Sequence, residues 1–233
     1  MDMENKINCE EYYVAFLDLL GCRSIIEKDT QDKNLNNIYK IYKSWLGIFG
    51  NHGSFKSIQV KIFSDNIVLA IKCKNSNAIE LLLEAVSCLV QHFLEYGYKV
   101  RGGITKGKLY IDNVLVWGKA LVDAYKLESE CAETPRIVID KNLLTDISER
   151  TKSLMTLREE DYRVLDYLKS YGTTADQQLT IISTALERVE KELESLKKSK
   201  IKEKNIYLKK YLLNSKQYWE EKANKEKMDS KLP

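Results

Sequence analysis

The chain has 233 residues, 44% of them hydrophobic, enough for a sizeable core, and no run approaches the ~18 apolar residues of a membrane span. A formal charge of +3 is too small to argue by itself for nucleic acid. The basic excess is local, with 14 Lys+Arg against 9 Asp+Glu in residues 187–233 and 23 against 25 elsewhere. Five scattered cysteines without C-x-x-C pairs, and only two histidines, argue against zinc and disulfides. With the polar, acidic start "MDMENKINCEEYY", they give the expectation of a soluble cytoplasmic protein.

Residues 12–18 alternate and run apolar with aromatic and β-branched members, which predicts a strand. Apolar residues at helical spacing then predict one or two helices over about 20–49. "SIQVKIFSDNIVLAIKC" reads as a hairpin turning at Ser64-Asp65-Asn66. "AIELLLEAVSCLVQHFLEYG" reads as a core helix ending near Gly97. "KVRGGITKGKLYIDNVLVWG" predicts a strand or strand pair bent at its glycines, "KALVDAYKLESECA" a helix, and "RIVID" a further strand. This order predicts an α+β fold, a sheet with helices on one face. After residue 145 the character changes. Leu179, Ile182, Leu186, Val189, Leu193 and Leu196, then Ile201, Leu208, Tyr211, Leu212 and Tyr218, form two apolar stripes. They predict an appended helical hairpin, packed on its own domain or serving self-association.

Asp18 interrupts an apolar run just before a glycine, and an unpaired carboxylate there is costly. If the first strand lies beside the hairpin, Asp18 and Asp65 come out at one edge of the sheet. Two carboxylates at close range repel unless a cation lies between them, and oxygen ligands suit Mg2+ or Mn2+. Taken singly, each aspartate reads as a helix cap or a turn residue. Gly21 lets the chain turn closely, leaving backbone N–H groups at a helix head where phosphate oxygens fit. Arg23, Lys61, Arg101 and Lys126 are the nearby cationic candidates. The set points to a metal-triphosphate site and to phosphoryl or nucleotidyl transfer with two ions.

The strings "AFLDLLGCRSII", "VKIFSDNIVLAI", "VRGGITKGKL" and "VWGKALVDAYKLES" resemble, in order and spacing, the catalytic domain of class III nucleotidyl cyclases over residues 12–140. The resemblance implies a ferredoxin-like, palm-type sheet and two metal ions held by Asp18, Asp65 and the Leu19 carbonyl. It also implies a homodimer whose site lies at the two-fold interface. Ser64 stands where that family commonly has glycine, Val122 where it has the ribose-orienting asparagine, and Lys126 where it has the arginine that stabilises the transition state. Lysine keeps that charge but loses the bidentate fork. Lys61 matches the base-reading lysine of purine enzymes, whereas their acidic partner is replaced by Leu115.

"LDLLG", "FSD", "RGGI", "WGKAL", "DAYKLE", the late "DYL" and the tail "KNIYLKKYLLNSKQYW" are most similar to the pyrimidine cyclases of Pycsar antiphage systems. That likeness implies conversion of UTP or CTP to a 3′,5′-cyclic nucleotide and pyrophosphate, which activates a separate effector protein. Catalysis would fall to Asp18, Asp65 and Lys126, the last reaching in from a partner subunit. Leu19, Gly21, Arg23, Lys61, Arg101 and Leu115 would line the substrate site. Neither a membrane nor a nucleic acid is expected as partner. The corresponding division is a cyclase-like domain over 1–145, a connecting segment over 146–175 and a helical extension over 176–233. Two other readings stay open: a palm-type oligonucleotide synthase, and a degenerate cyclase acting as a non-catalytic nucleotide sensor or scaffold.

Overall fold

A computed structural model describes residues 8–31, 36–159, 162–169, 174–196 and 199–229. Glu160 and Asp161 of "REEDYRVLDYL" and residues 170–173 of the expected connecting segment lie outside them. The sheet is built on β1 (Glu10–Leu20), whose even residues Tyr12, Val14 and Phe16 and odd residues Tyr13, Ala15 and Leu17 are all buried. Burial on both faces is why its sequence is a near-continuous apolar run. Helices α1 (Arg23–Gln31) and α2 (Asn36–Asn51) follow, so the predicted helical stretch holds two helices.

The expected hairpin is β2 (Gln59–Phe63) and β3 (Asn66–Lys72). Its loop is only Ser64-Asp65, and Ser64 takes φ +57, the left-handed region in which glycine is at ease. α3 (Ala78–Glu95) ends as predicted, with Gly97 at φ +85. The glycine-rich stretch is a pair, the 13-residue β4 (Lys99–Ile111) and the short β5 (Val116–Trp117). α4 (Lys119–Lys126) continues into a single π turn over Leu127–Cys131, and β6 (Ile137–Ile139) follows. α5 (Glu149–Met155) with β7 (Thr156–Glu159) and β8 (Tyr162–Leu165) then extends the sheet. The order across it is β2-β3-β1-β4-β6-β8-β7, with β4 and β6 parallel and the other pairs antiparallel.

The fold is therefore α+β, as expected, with its main helical layer on one face. There Leu17, Leu69 and Ile104 of the strands share one core with Trp45 of α2 and Leu82, Leu89 and Phe93 of α3. On the opposite face α4 alone packs, through Ala120 and Ala124, on Val14, Phe16, Val68 and Leu109. No helix among the described residues is long and apolar enough to cross a membrane.

The two C-terminal stripes form α6 (Ala175–Ser195), started by a Thr174–Gln177 capping box, and α7 (Lys200–Asp229). Ile182, Leu186, Val189, Leu208, Leu212 and Trp219 belong to the same core as the sheet, so most of the two stripes packs within the chain, while Ile201 stays exposed. The late "DYL" is where the hairpin docks. Tyr211 Oη donates to Asp166 Oδ1 at 2.7 Å, Leu168 N donates to Tyr211 Oη at 3.1 Å, and Trp219 Nε1 donates to the Leu168 carbonyl at 3.0 Å. Asp166 is nearly fully buried and also pairs with Lys169 at 3.0 Å. A buried carboxylate stripped of a donor bears the desolvation cost itself. Tyr211→Phe is accordingly expected to cost about 1–3 kcal/mol. A thermal melt should show this as a Tm lower by roughly 2–4 °C per kcal/mol. An unchanged Tm would mean that the contact does not fasten α7.

Candidate functional site

The hairpin register places the two aspartates on adjoining rungs. Asp18 of β1 pairs with Asn66 of β3, and one rung beyond, Leu19 N donates to the Asp65 carbonyl at 3.0 Å. A strand residue's N–H and C=O point to the same side, so the Leu19 carbonyl also faces the Ser64-Asp65 turn. Cys22 and Tyr42 report the same convergence. Burial pushes the Cys22 thiol up to about 12, and the negative charges of Asp65 and Asp18 add to that rise. Burial likewise raises the Tyr42 phenol, with both aspartates among the contributors. An apolar cleft of about 300 Å³ lined by Leu19, Cys22, Ile25, Tyr42 and Asp65 opens beside the turn, between it and α1 and α2.

The cation that holds Asp18 in this structure is Arg101, directly across the ladder on β4. Its Nε donates to Asp18 Oδ2 at 2.8 Å, and its Nη2 lies 2.7 Å from Glu128 Oε1 without hydrogen-bond alignment. The Glu128 side chain is only 3% exposed. Burial raises its pKa above the ordinary 4.5, and Arg101 opposes that shift. The approach depends on Gly103, since a Cβ there would stand 2.4 Å from the Ala124 carbonyl and 2.6 Å from Leu127 Cβ. A side chain at that position would lift α4 and its π turn off the strand, taking Glu128 with them.

The other expected site residues spread more widely. Gly21, at φ +78, makes the turn out of β1, and a Cβ there would meet nothing within 4 Å, so torsion and not space favours glycine. Arg23 opens α1, but its side chain is 92% exposed and pairs with Glu27 on the same helix at 3.1 Å. Lys61, half-buried on edge strand β2, adds to the field at Asp112 in the β4–β5 turn. Leu115 is in that same turn, half-exposed, and its N–H donates to Asp112 Oδ1 at 2.7 Å. Val114 N and Tyr110 Oη also donate to Asp112, and these bonds hold its carboxyl down to about 2. Lys126, the last residue of α4, is exposed and forms no ion pair among the described residues. Around it Trp117, Val122, Tyr125 and Phe63 leave half or more of their surface exposed, an apolar face left uncovered beside α4.

Glu128 and Asp112 are additions that the sequence reading did not make. Glu128 carried a signal, because Ala120, Ala124 and Glu128 share the buried face of α4 at steps of four. A cavity of about 620 Å³ lies elsewhere, between α7 and the β6–β8–β7 edge. Its lining includes two ion pairs, Arg136 with Glu159 and Lys169 with Asp166.

The donor set fits a hard divalent ion: two carboxylates and a carbonyl, all oxygen, at one rim. Asp65 accepts from Asn66 Nδ2 at 3.1 Å and has no cation partner among the described residues. No ready-made group of three or more ligating side chains occurs among them, so a metal here would rely on further oxygens from water or substrate phosphates.

Two outcomes follow from the ionic chain. Arg101→Met leaves Asp18 and Glu128 without their cation and is expected to cost about 2–3 kcal/mol, below the range for fully buried pairs because Asp18 and Arg101 keep some water contact. Glu128 binds its proton more tightly folded than unfolded, so its contribution to stability is largest at low pH and falls as pH rises from 4.5 through its folded value. Urea unfolding of Glu128→Gln should therefore show a flatter pH profile over that window than the wild type. Parallel profiles would contradict the raised pKa.

No protein-family model and no curated protein matches the sequence. Solved structures do. The adenylyl cyclase CyaB from P. aeruginosa is 14% identical over 67% of this chain and 94% of its own, with a TM-score of 0.46. A bacterial light-regulated adenylyl cyclase is 12% identical over 76% and 98%, with a TM-score of 0.45. A class III adenylyl cyclase-like ATP-binding protein from Pseudomonas aeruginosa is 9% identical, with a TM-score of 0.50 over 78% of this chain and 40% of that one. Likeness at this level concerns the backbone, and on it and the strand order the chain has a class III cyclase-like fold.

Proposed function

We propose that the protein is a nucleotide cyclase that converts a pyrimidine triphosphate, UTP or CTP, to its 3′,5′-cyclic nucleotide and pyrophosphate. The observation that carries the reading is the placement of Asp18 and Asp65 on adjoining rungs of one sheet edge, with Arg101 beside them. Asp18, Asp65 and the Leu19 carbonyl would hold Mg2+ or Mn2+. Bound there, such ions supply a lowered pKa for the ribose 3′-hydroxyl and charge neutralisation at the phosphates. The chain's own part is positional. Arg101, released from Asp18, offers a guanidinium to phosphate oxygens, and the glycine turn at Gly21 leaves backbone donors at the head of α1.

The exposed apolar face beside α4 supports a two-fold dimer, across which the unpaired Lys126 of one protomer would meet the aspartates of its partner. A pyrimidine preference is supported by the β4–β5 turn. Leu115 offers no carboxylate to a base, and Asp112, next to Lys61, already has both oxygens engaged in closing the turn. The similarity of the motifs to Pycsar enzymes supports a role in antiphage signalling through a separate effector.

The test is to incubate the purified chain with each of the four NTPs and Mn2+ and to identify products by mass. A cyclic pyrimidine nucleotide is expected, and Asp65→Asn should lower turnover by about 10²-fold or more while leaving the melt intact. Linear oligomers would instead favour a palm-type synthase, and folded protein without product from any NTP would end the cyclase reading. Mixing inactive Asp65→Asn with inactive Lys126→Ala should restore about a quarter of wild-type turnover, because half the dimers then carry one intact site. No recovery on mixing would place both residues in the same protomer's site.

A further inference from the structure

We infer that the C-terminal hairpin is part of the nucleotide site, and that Lys204 of α7 is its phosphate-binding residue, held in cis beside Arg101. The inference deepens the cyclase reading and rests on it for the identity of the ligand. The geometry begins with the α6–α7 turn, which is tied to the start of β4. Glu192 of α6 pairs with Lys99 Nζ at 2.5 Å and accepts from Asn205 Nδ2 of α7 at 2.9 Å. Lys99 and Arg101 are two residues apart on one strand and so share a face. On α7, Lys204, Tyr207 and Tyr211 follow at steps of three and four along one side. The two tyrosines fix that side against the sheet, Tyr207 through Glu159 at 2.6 Å and Tyr211 through Asp166. One turn before Tyr207 the same side carries Lys204, next to Asn205 and so close to the start of β4 and to Arg101, two residues on from Lys99.

Lys204 is half-buried and forms no ion pair among the described residues. Burial and the nearby Arg101 guanidinium depress its pKa, and Asp18 and Glu133 pull the other way. Its charge in turn acts on Glu128. Two cations from different elements, Arg101 and Lys204, thus lie at a rim that also holds Asp18, Asp65, Glu128 and Glu133. With two divalent ions bound at the aspartates, the cations and ions outweigh those four carboxylates, and a polyanion satisfies the excess. The terminal phosphates of a triphosphate have that chemistry, because they add charge beyond the α-phosphate, whereas a monophosphate brings only the charge that the metal site itself would balance.

The experiment is calorimetric titration of the full chain in Mn2+ with 3′-deoxy-UTP, which is unable to cyclise, and with UMP. Lys204→Met is expected to weaken the triphosphate about tenfold and leave the monophosphate unchanged, and Lys204→Arg to stay within about threefold of wild type. Lys204→Gln serves as the neutral variant if the methionine protein melts early. Equal triphosphate affinity in wild type and neutral variant, or equal loss for both ligands, would overturn the assignment, as would a wild type that binds no nucleotide. A wild type that binds with this pattern but yields no cyclic product would sink the cyclase reading alone.

Discussion

The structure depends on how one carboxylate is partnered within a strand that is otherwise apolar from Tyr12 onward. Asp18 sits at the end of a strand buried on both faces, and its cost there is met by Arg101 from the adjacent strand, in direct register. Arg101 in turn is held from the other side by Glu128, so three charges from β1, β4 and the turn after α4 form one chain. Such a chain is stable and also convertible. A cation of higher charge density at Asp18 would free a guanidinium that Glu128 continues to aim at the same rim.

The packing around that chain explains the sequence's least flexible features. β1 is apolar from Tyr12 to Leu17 because it is covered twice, by α2 and α3 on one face and by α4 on the other. Gly103 is needed because α4 crosses β4 with its backbone against the strand. The π turn at Leu127–Cys131 inserts an extra residue where Glu128 turns inward, a local irregularity of the kind often found at functional positions. α4 is short and covers only part of its face, which leaves aromatic surface next to the ionic chain. Stability and the proposed chemistry share the same few residues here.

Much of the fold was legible. The β1, hairpin and α3 segments carried strong local signals: continuous β-branched runs, a polar two-residue turn, and a glycine stop at Gly97. The two C-terminal stripes were legible as helices but not as to partner, because an apolar stripe has the same period whether it meets its own sheet or a second chain. Asp18 stood out in the sequence because a charge in an apolar run is a local anomaly. The roles of the cations were not legible: Arg23 and Arg101 look alike in sequence, yet one is solvated on a helix surface and the other is locked between two acids. Asp166 and Tyr211 were quoted as separate motifs, and only their contact across 45 residues shows that each exists for the other.

The sequence by itself determined the elements, the buried faces and the presence of a carboxylate, Asp18, within an apolar run, since these follow from period, turn chemistry and the cost of an unpaired charge. Tertiary structure decided which cation answers which carboxylate, that Glu128 lies behind Arg101, and that the tail closes on the rim of the sheet. Those are matters of register and long-range packing. They are set by strands and helices far apart in the chain, and no local pattern encodes them.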